Sequence, residues 1–543
     1  MRVYLAQINP KIGDLDGNTQ KVIESIAKAR EQKADIVLFP ELTICGYPPQ
    51  DLVYHYDFNQ AIEQHLQTIV NASQGLMVVV GLVRPNLGIG EKGVCNCAAI
   101  IIDGHLAGFH DKWLLPNYDV FNERRYFDPG HTLQTFPFKG KSIGVLICED
   151  IWQHAGYVDA RYHRDPVIEM ARLKPDLLLN LSASPYQYQK LDVRVEVCAK
   201  VATTLKCPVV YCAQVGGNDS LLFDGYSLFV GAQGNLRQLA KGFVEDSMII
   251  DLDASACPCS FNYNPMSDLY NCLVMGVRDY FHKSGFNSAL LGLSGGLDSA
   301  LVACIVADAL GPENLLTVSM PSKFTSEASK SDAEKLAQNL NVKLITVPIK
   351  EPYDTYLNLL GPLFEGRPFD VTEENLQARL RGTILMAISN KLGHIVVSTG
   401  NKSEFALGYY TLYGDSCGGL GVIGDVSKTM AYDLCRWINR KKEIIPQNII
   451  DRPPSAELRE DQLDLQSLPE YGIVDTIIQS YVEECLPPAA ISEKHNIPLE
   501  TVMDLVHRIH TAEYKRRQSP PVLRVSSKSF GVGRHYPIVQ GWR

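Results

Sequence analysis

The sequence predicts an α/β protein with two domains, for three reasons. The chain has 543 residues, which is more than a single hydrophobic core usually supports. Strand-like apolar runs recur up to about residue 250, as in a layered α/β domain. After residue 266 strands and helices alternate, which is typical of a doubly wound parallel sheet.

The first domain is expected at residues 1–250. Its strands are predicted from apolar runs with few long helices between them, at residues 1–8, 35–40, 76–83, 97–103, 142–148, 176–181 and 209–213. The periodicity disappears over residues 251–265, where Pro and Asn accumulate, so this stretch is expected to be a linker.

The second domain is expected at residues 266–543. Its predicted strands lie at residues 289–293, 315–320, 342–348 and 394–398, and its predicted helices at residues 299–310, 326–340 and 373–392. Sheets of this kind bind ligands beyond the carboxyl ends of their strands. Polar motifs that directly follow these strands are therefore the candidates for a binding site.

Composition favours a small-molecule substrate. The 51 basic and 61 acidic residues give a net charge of −10, which provides no general attraction to nucleic acid or to an anionic membrane. The N-terminus has no positively charged leader, and no apolar run approaches the roughly 20 residues that span a bilayer. We therefore expect a cytoplasmic protein that keeps most of its 14 cysteines as buried thiols.

One hexapeptide of the second domain predicts nucleotide binding. It joins a predicted strand to a predicted helix and reads Ser294-Gly295-Gly296-Leu297-Asp298-Ser299. The glycines let the backbone approach a pyrophosphate, the helix N-terminus and the serine hydroxyls supply donors, and Asp298 suits a Mg2+ that bridges the phosphates. The alternative is an ordinary turn with a serine cap.

The hexapeptide lacks the lysine of the kinase and GTPase loop and resembles the SGGxDS loop of the ATP pyrophosphatases. These enzymes cleave ATP to AMP and pyrophosphate while they activate a carboxylate or carbonyl as its adenylate. The resemblance implies ATP binding by Gly292, Leu293, Ser294, Gly295, Gly296, Leu297, Asp298 and Ser299.

Three residues of the first domain lie at or just past the ends of strand-like runs: Glu41, Lys112 and Cys148. A thiolate attacks an amide carbonyl well if a neighbouring cation lowers its pKa and a base removes its proton, roles that suit Lys and Glu. Taken singly, each has a plainer interpretation, as a solvated strand end, a surface charge or a buried thiol.

Together, the segments Phe39-Pro40-Glu41, His110-Asp111-Lys112 and Cys148-Glu149-Asp150 resemble the Glu-Lys-Cys motifs of the nitrilase (carbon–nitrogen hydrolase) superfamily. The resemblance implies an αββα sandwich in which Glu41 is the general base, Cys148 the nucleophile and Lys112 the group that stabilises the tetrahedral intermediate. Glu149 is expected to point elsewhere. Glu123 is either a second carboxylate near the site or the partner of a neighbouring arginine.

A nitrilase-like domain joined to an ATP pyrophosphatase-like domain resembles the glutamine-dependent NAD synthetases. Further matching segments lie at residues 374–379, 398–404, 425–429 and 513–518. The resemblance implies that Thr399 and Lys428 contact ATP, that Asn375 and Lys515 contact deamido-NAD, and that Glu404 lies between Mg2+ and the dinucleotide. Plainer interpretations are a helix-surface residue for Asn375 and an ordinary first-turn charge for Lys428.

The same resemblance assigns glutamine binding to Tyr118, Ser184 and Lys190, with Ser182 as the competing serine. It implies that ammonia from glutamine displaces AMP from the adenylate of deamido-NAD in an ATP- and Mg2+-dependent reaction. A shielded passage between the sites is expected, because ammonium has no lone pair for the attack. Assembly into a homo-oligomer through the synthetase domain is also implied.

Three other functions compete with this interpretation. Another glutamine-dependent, adenylate-forming ligase of the GMP synthetase kind would use a different acceptor, but that class resembles a Cys-His-Glu glutaminase. A tRNA-binding modification protein is disfavoured by the acidic charge and by the lack of a Cys pair for sulfur transfer. A catalytically silent module is disfavoured by the intact set of Glu41, Lys112 and Cys148.

Overall fold

The computed structural model describes residues 1–88, 90–157, 162–254, 259 and 263–542. The chain divides into two units, Met1–Pro265 and Met266–Arg543. Within the predicted linker, residues 255–258 and 260–262 lie outside the described residues. In the described part of the chain, no helix is both long enough and apolar enough to cross a membrane.

The first unit contains two six-stranded sheets and a hairpin. Its strands are β1 (Arg2–Gln7), β2 (Ile36–Leu38), β3 (Met77–Pro85), β4 (Val94–Ile102), β5 (His105–Asp111), β6 (Thr135–Phe138), β7 (Lys141–Ile147), β8 (Leu177–Ser182), β9 (Val209–Ala213), β10 (Val215–Asn218), β11 (Leu221–Asp224), β12 (Leu228–Val230), β13 (Leu236–Leu239) and β14 (Asp246–Asp251). One sheet has the order β14-β1-β2-β3-β4-β5, the other β13-β12-β9-β8-β7-β6, and β10 pairs with β11.

The helices of the first unit are longer than the sequence indicated. They are α1 (Leu15–Glu31), α2 (Tyr56–Ala72), α3 (Glu123–Tyr126), α4 (Trp152–Ala155), α5 (Pro166–Leu173) and α6 (Lys190–Leu205). The prediction of few long helices is wrong, because α1, α2 and α6 have 17, 17 and 16 residues. Polar residues such as Asn18 and Arg194 occupy buried positions in these helices and obscure the apolar period.

Alternate side chains of the strands face two different cores. Val3 and Leu5 of β1 pack between the two sheets, against Val145 and Leu179 of the other sheet. Their neighbours Tyr4 and Ala6 face outward, where α1 and α2 cover the first sheet. Helices α5 and α6 cover the outer face of the second sheet in the same way. Two packed sheets between helix layers confirm the predicted αββα sandwich.

The second unit is built on a five-stranded sheet. Its strands are β15 (Ala289–Gly292), β16 (Leu315–Ser319), β17 (Lys343–Thr346), β18 (Ile395–Ser398) and β19 (Leu420–Gly421). All neighbouring strands are parallel and their order is β17-β16-β15-β18-β19. The order reverses between β15 and β18, which confirms the doubly wound sheet and places its topological switch point there.

Helices connect these strands and extend beyond them. They are α7 (Pro265–Lys283), α8 (Leu297–Leu310), α9 (Glu327–Leu340), α10 (Lys350–Leu360), α11 (Val371–Leu392), α12 (Lys402–Leu407), α13 (Lys428–Ile438), α14 (Gln447–Asp451), α15 (Tyr471–Ile478), α16 (Pro488–His495), α17 (Leu499–Thr511) and α18 (Glu513–Arg516). The predicted helices at 299–310, 326–340 and 373–392 correspond to α8, α9 and α11. The sequence analysis gave no residue range for the other helices of this unit, including α10 between β17 and β18, and missed the two-residue strand β19.

Candidate active sites

A buried ion pair joins two of the predicted catalytic residues of the first unit. Lys112 Nζ lies 2.7 Å from Glu41 Oε1, and the exposed fraction of each residue is 1%. Glu41 closely follows β2 and Lys112 directly follows β5, in the same sheet. Their burial excludes the plainer interpretations of a solvated strand end and a surface charge.

A glycine of β3 lets the Glu41 turn approach the sheet. A Cβ atom on Gly81 would lie 2.3 Å from the Leu42 backbone nitrogen and 2.6 Å from the Pro40 carbonyl oxygen. Any side chain at position 81 would therefore push the turn away. The second carboxylate oxygen of Glu41 accepts a hydrogen bond of 3.1 Å from the Ala183 backbone N–H, so both of its oxygens are held.

Glu123 belongs to the same cluster. Lys112 Nζ donates to Glu123 Oε1 at 2.7 Å, and the Tyr47 hydroxyl donates to the same carboxylate at 2.9 Å. Asn96 Nδ2 donates to Glu41 at 2.7 Å and to Glu123 at 3.4 Å. Of the two interpretations of Glu123, the structure therefore places it near the site and paired with Lys112.

The charges of this cluster depend on one another. Burial raises the pKa of Glu123 to about 7, and the charge of Glu41 adds to this effect against the opposing effect of Lys112. Burial alone would lower the pKa of Lys112, but Glu123 and Glu41 outweigh it and raise that pKa well above its usual value. The lysine therefore stays charged at neutral pH.

Cys148 begins a 3-10 turn, Cys148–Ile151, directly after β7. Its φ of 41° is in the left-handed region, which a residue with a side chain rarely adopts. Burial, followed by the negative charge of Glu41, raises the pKa of its thiol, while Lys112 and a hydrogen bond from Ser182 oppose this rise. The resting thiol is thus protonated, with a carboxylate and an ammonium nearby.

Asp150 fixes this turn, and the sequence analysis gave it no role. Its carboxylate accepts hydrogen bonds from the backbone N–H groups of Ile147, Trp113 and Leu114, at 3.0, 3.0 and 2.8 Å. One side chain thereby joins the turn that carries Cys148 to the segment that follows Lys112. The signal in the sequence is an acid two residues after the predicted nucleophile, and the structure shows that this acid is fully buried.

The residues predicted to bind glutamine surround Glu149. The Tyr118 hydroxyl donates to Glu149 Oε1 at 2.9 Å, and the Tyr162 hydroxyl donates to the same oxygen at 3.0 Å. Lys190 Nζ donates to Ser184 Oγ at 2.8 Å, and its charge acts on Glu149. The expectation that Glu149 points elsewhere is wrong, because its carboxylate lies against the predicted glutamine residue Tyr118.

Ser182 lies at the end of β8 and faces a different partner. The Tyr211 hydroxyl donates to Ser182 Oγ at 2.7 Å. In the sheet Ile147 pairs with Leu181, so Cys148 and Ser182 follow the last paired residues of neighbouring parallel strands. Ser182 thus belongs to the surroundings of the nucleophile, and Ser184 belongs to the Lys190 cluster.

In the second unit, the first three residues of the hexapeptide lie in the turn between β15 and α8, and its last three residues begin α8. Gly295 has a φ of 80°, and a Cβ atom there would lie 2.2 Å from the Ser329 carbonyl oxygen. The Ser294 and Ser299 hydroxyls are 3.1 Å apart, and Gly296 N–H donates to Ser294 Oγ at 3.2 Å. Among the residues that the structure describes, no side chain caps α8, so its first-turn N–H groups remain available to an anion.

The residues predicted to contact ATP follow β15 and β18, the two strands on either side of the switch point. Leu293 and Ser294 follow β15, and Thr399 directly follows β18. Lys428, at the start of α13, lies in an ion pair of 2.5 Å with Asp298. The structure thus brings Lys428 to the hexapeptide. Because Lys428 is buried and paired with Asp298, it is not an ordinary first-turn charge.

The two predicted metal ligands lie close enough to repel each other. Burial, followed by the charge of Asp298, raises the pKa of Glu404 well above its usual value. Asn401 bridges them, with Nδ2 donating to Asp298 Oδ1 at 3.3 Å and the backbone N–H donating to Glu404 Oε2 at 3.2 Å. In the described residues no group of three or more His, Cys, Asp and Glu side chains forms a metal site. Two carboxylates suit a Mg2+ that takes its remaining ligands from phosphates and water.

The predicted deamido-NAD contacts meet at residues 408–415. The Thr411 hydroxyl donates to Asn375 Oδ1 at 2.7 Å, so Asn375 faces this loop rather than solvent alone. Lys515 Nζ donates to the carbonyl oxygens of Gly408 and Tyr410, both at 2.8 Å. The Asp415 carboxylate accepts a hydrogen bond of 2.8 Å from the Thr411 backbone N–H, and its charge acts on both Lys515 and Glu404.

Arg452 stabilises the hexapeptide, a role that the sequence did not reveal. Its guanidinium donates to the Gly295 carbonyl oxygen at 3.1 Å, to Asp332 at 2.6 Å and to Ser329 Oγ at 2.7 Å. Glu457 accepts from the same Ser329 hydroxyl at 2.8 Å. The segment that carries both residues lies more than 150 residues away in sequence, so no local pattern indicates the contact.

Comparison with known proteins divides the chain in the same manner. The carbon-nitrogen hydrolase family model matches residues 2–258, and the NAD synthase family model matches residues 269–519. The glutamine-dependent NAD(+) synthetase of Synechocystis sp. is 42% identical, over 99% of this chain and 99% of its own. That of Acinetobacter baylyi is 40% identical, over 100% and 99%.

A solved structure extends the similarity to three dimensions. The glutamine-dependent NAD+ synthetase of Acinetobacter baumannii, in complex with ADP, is 38% identical to this chain. The match covers 100% of this chain and 99% of that one, with a TM-score of 0.79.

Proposed function

The chain belongs to the glutamine-dependent NAD(+) synthetases, and we propose that its two clusters of buried charged residues divide the reaction between them. Family membership confirms the resemblance drawn from the sequence and removes the competing ligase, tRNA-modification and silent-module interpretations. The proposal rests chiefly on one observation, the buried contact of Lys112 with Glu41 and Glu123 beside Cys148.

In the first unit, the Cys148 sulfur attacks the carboxamide carbon of glutamine. Because burial keeps the thiol protonated, Glu41 takes its proton as the C–S bond forms. The Lys112 ammonium stabilises the oxyanion of the tetrahedral intermediate. The proton passes to the departing nitrogen and ammonia leaves, after which water cleaves the thioester to glutamate and restores the thiol.

Recognition of the free amino-acid end of glutamine is assigned to the cluster around Glu149. Its buried carboxylate suits the α-ammonium group, and the Tyr118 hydroxyl orients it. Lys190 and Ser184 suit the α-carboxylate. A site that pairs both charges rejects amides without them, because binding such an amide would leave buried charges unpaired.

In the second unit, the nicotinate carboxylate of deamido-NAD attacks the α-phosphorus of ATP, which releases pyrophosphate. The uncapped N-terminus of α8 and the backbone of residues 292–299 bind the phosphates, and Lys428 adds positive charge. A bound Mg2+, held by Asp298 and Glu404, would supply neutralisation of phosphate charge. Ammonia then attacks the activated carbonyl and displaces AMP, which yields NAD.

The dinucleotide side of this site is assigned to Asn375, Glu404 and Lys515. Asn375 and Lys515 both contact residues 408–411, and Glu404 is adjacent to Asp298. Thr399 is assigned to ATP because it directly follows β18, and β18 is the neighbour of β15, the strand that leads into the hexapeptide. This places the two anionic substrates on either side of the switch point, where ligands of doubly wound sheets bind.

Self-association through the second unit is also proposed. Exposed apolar side chains run from α10 through the turn Gly361–Phe364 and the segment after it to the start of α11: Tyr356 45%, Leu359 68%, Leu363 73%, Phe369 49% and Val371 62%. An apolar set of this kind favours a second copy as partner. We also propose a cytoplasmic location, with which the lack of disulfide bonds among the described cysteines agrees.

The test is NAD formation by the full chain from deamido-NAD and Mg-ATP, with glutamine or an ammonium salt as the nitrogen source. We expect NAD, AMP and pyrophosphate in equal amounts from either source, and one glutamate per NAD from glutamine. Glutamine hydrolysis without NAD formation would contradict the assignment of the second unit. NAD formation with ammonium but not with glutamine would contradict the assignment of the first unit.

A further inference from the structure

Arg381, on α11, is a positive charge without a counter-ion. Its Nε donates to the Met320 carbonyl oxygen at 3.0 Å, and the residue is half-buried. Its two terminal nitrogens donate to none of the residues that the structure describes, and no described carboxylate lies within ion-pair distance of them. Asp415 and Glu457 act on Arg381 only from a distance.

Two buried arginines, Arg194 and Arg534, each have a carboxylate counter-ion. Arg194 lies 2.7 Å from Asp224, and Arg534 lies 2.7 Å from Glu513. Burial lowers the pKa of Arg381 to about 10, which reflects how poorly its charge is solvated. An unpaired, partly buried charge reduces the stability of the ligand-free protein, so its position requires another explanation.

Arg381 lies near the end of β15, the strand that precedes the hexapeptide. A Cβ atom on Gly292 would lie 3.4 Å from Leu385 Cδ1 and 3.4 Å from Met320 Cε, so Leu385 packs on the last residue of β15. Arg381 is one turn before Leu385 on the same helix face. Because a connecting helix runs antiparallel to its strands, Arg381 lies beyond the carboxyl ends of β15 and β16.

We propose that Arg381 binds an oxyanion of the reacting substrates, either the α-phosphate of ATP or the nicotinate carboxylate of deamido-NAD. The proposal rests on the function proposed above, in which these two anions meet at this edge of the sheet. Both present paired oxygens to which a planar guanidinium donates two parallel hydrogen bonds. Bound substrate then supplies the counter-ion that the protein lacks.

The experiment compares Arg381→Gln and Arg381→Lys with the wild type in ammonium-driven NAD synthesis. We expect Arg381→Gln to raise one KM or lower kcat/KM by about 10- to 100-fold, and Arg381→Lys to recover part of this loss. A rise in the KM of ATP identifies the phosphate, and a rise in the KM of deamido-NAD identifies the carboxylate. Lys391→Gln, which removes an exposed charge from the same helix, is the control and should change neither.

A thermal-shift measurement separates binding from a structural role. The ligand-free Arg381→Gln and Arg381→Met variants should melt at the wild-type temperature or above it, because an unpaired charge has been removed. Stabilisation by added ADP or deamido-NAD should decrease in parallel with the affected KM. Unchanged kinetic constants in Arg381→Gln, or a lower melting temperature with unchanged kinetic constants, would overturn the proposal. Absence of NAD formation by the wild type would instead contradict the proposed function.

Discussion

Lys428 Nζ lies 2.5 Å from Asp298 Oδ2, although 130 residues separate the two in sequence. Burial alone would lower the pKa of Lys428, but the charges of Asp298 and Glu404 outweigh it and raise that pKa. The Lys428 ammonium therefore partly offsets the negative charge of Asp298, which belongs to the segment proposed to bind the ATP phosphates. A polyanion can approach Asp298 because a fixed ammonium group is already present.

Asp298→Asn should abolish NAD synthesis from both nitrogen sources, with at least about a 100-fold loss of kcat/KM. The amide can still accept from Lys428, so the loop is expected to fold, but it cannot hold a divalent cation as a carboxylate does. Steady-state assays with glutamine and with ammonium measure this. Glu313→Gln, an exposed change just past the end of the same helix, is the control. Ammonium-driven activity that survives in Asp298→Asn would show that Asp298 is not a ligand.

Cys148→Ala should separate the two units functionally. We expect glutamine-driven synthesis to fall by about 10,000-fold, because no nucleophile remains, and ammonium-driven synthesis to stay within about twofold of the wild type. Cys485→Ala, at an exposed cysteine of the second unit, is the control and should affect neither reaction. Residual glutamine-driven activity near the wild-type rate would mean that another group attacks the amide.

The sequence was sufficient for the fold class and for residues that follow strands. Glu41, Lys112 and the hexapeptide all stand directly after apolar runs, and the structure brings each to the edge of a sheet. Positions of this kind can be predicted, because the end of a strand is a local feature of the sequence. The long helices of the first unit were missed because buried polar residues interrupt their apolar faces.

The contacts between segments that are distant in sequence could not be predicted from the sequence. Asn96 is a single amide in an apolar strand, and only the packing of the Glu41 turn against the same sheet shows what it binds. Asp150 was given no role from the sequence, because its three backbone partners come from two segments that only the fold brings together. For Arg381 the informative feature is the lack of a counter-ion among the described residues, which only the three-dimensional structure shows.

Glu149→Gln should raise the KM for glutamine by about 10- to 100-fold and leave ammonium-driven synthesis unchanged. Tyr118 and Tyr162 can still donate to the amide oxygen, so the cluster is expected to persist while its negative charge is lost. Competition by an amide that lacks the α-ammonium group gives a second measurement, since discrimination against it should weaken. Glu196→Gln, at an exposed carboxylate on α6, is the control. An unchanged KM would assign the α-ammonium group to another partner.

Glu123→Gln should change how the stability of the first unit depends on pH. The pKa of Glu123 is about 7 in the folded protein, above its usual value of 4.5, because burial and Glu41 disfavour its charged form. Between these pH values the folded state keeps a proton that the unfolded chain has released, so the free energy of unfolding falls as pH rises.

The glutamine side chain cannot titrate, so this contribution disappears in the variant. Its melting temperature should therefore fall less between about pH 5 and about pH 7 than that of the wild type, and the two should run in parallel above that range. Scanning fluorimetry across this interval measures the difference, and Glu63→Gln on the exposed face of α2 should follow the wild type. Parallel curves for Glu123→Gln and the wild type throughout the interval would mean that Glu123 is already ionised at the lower pH.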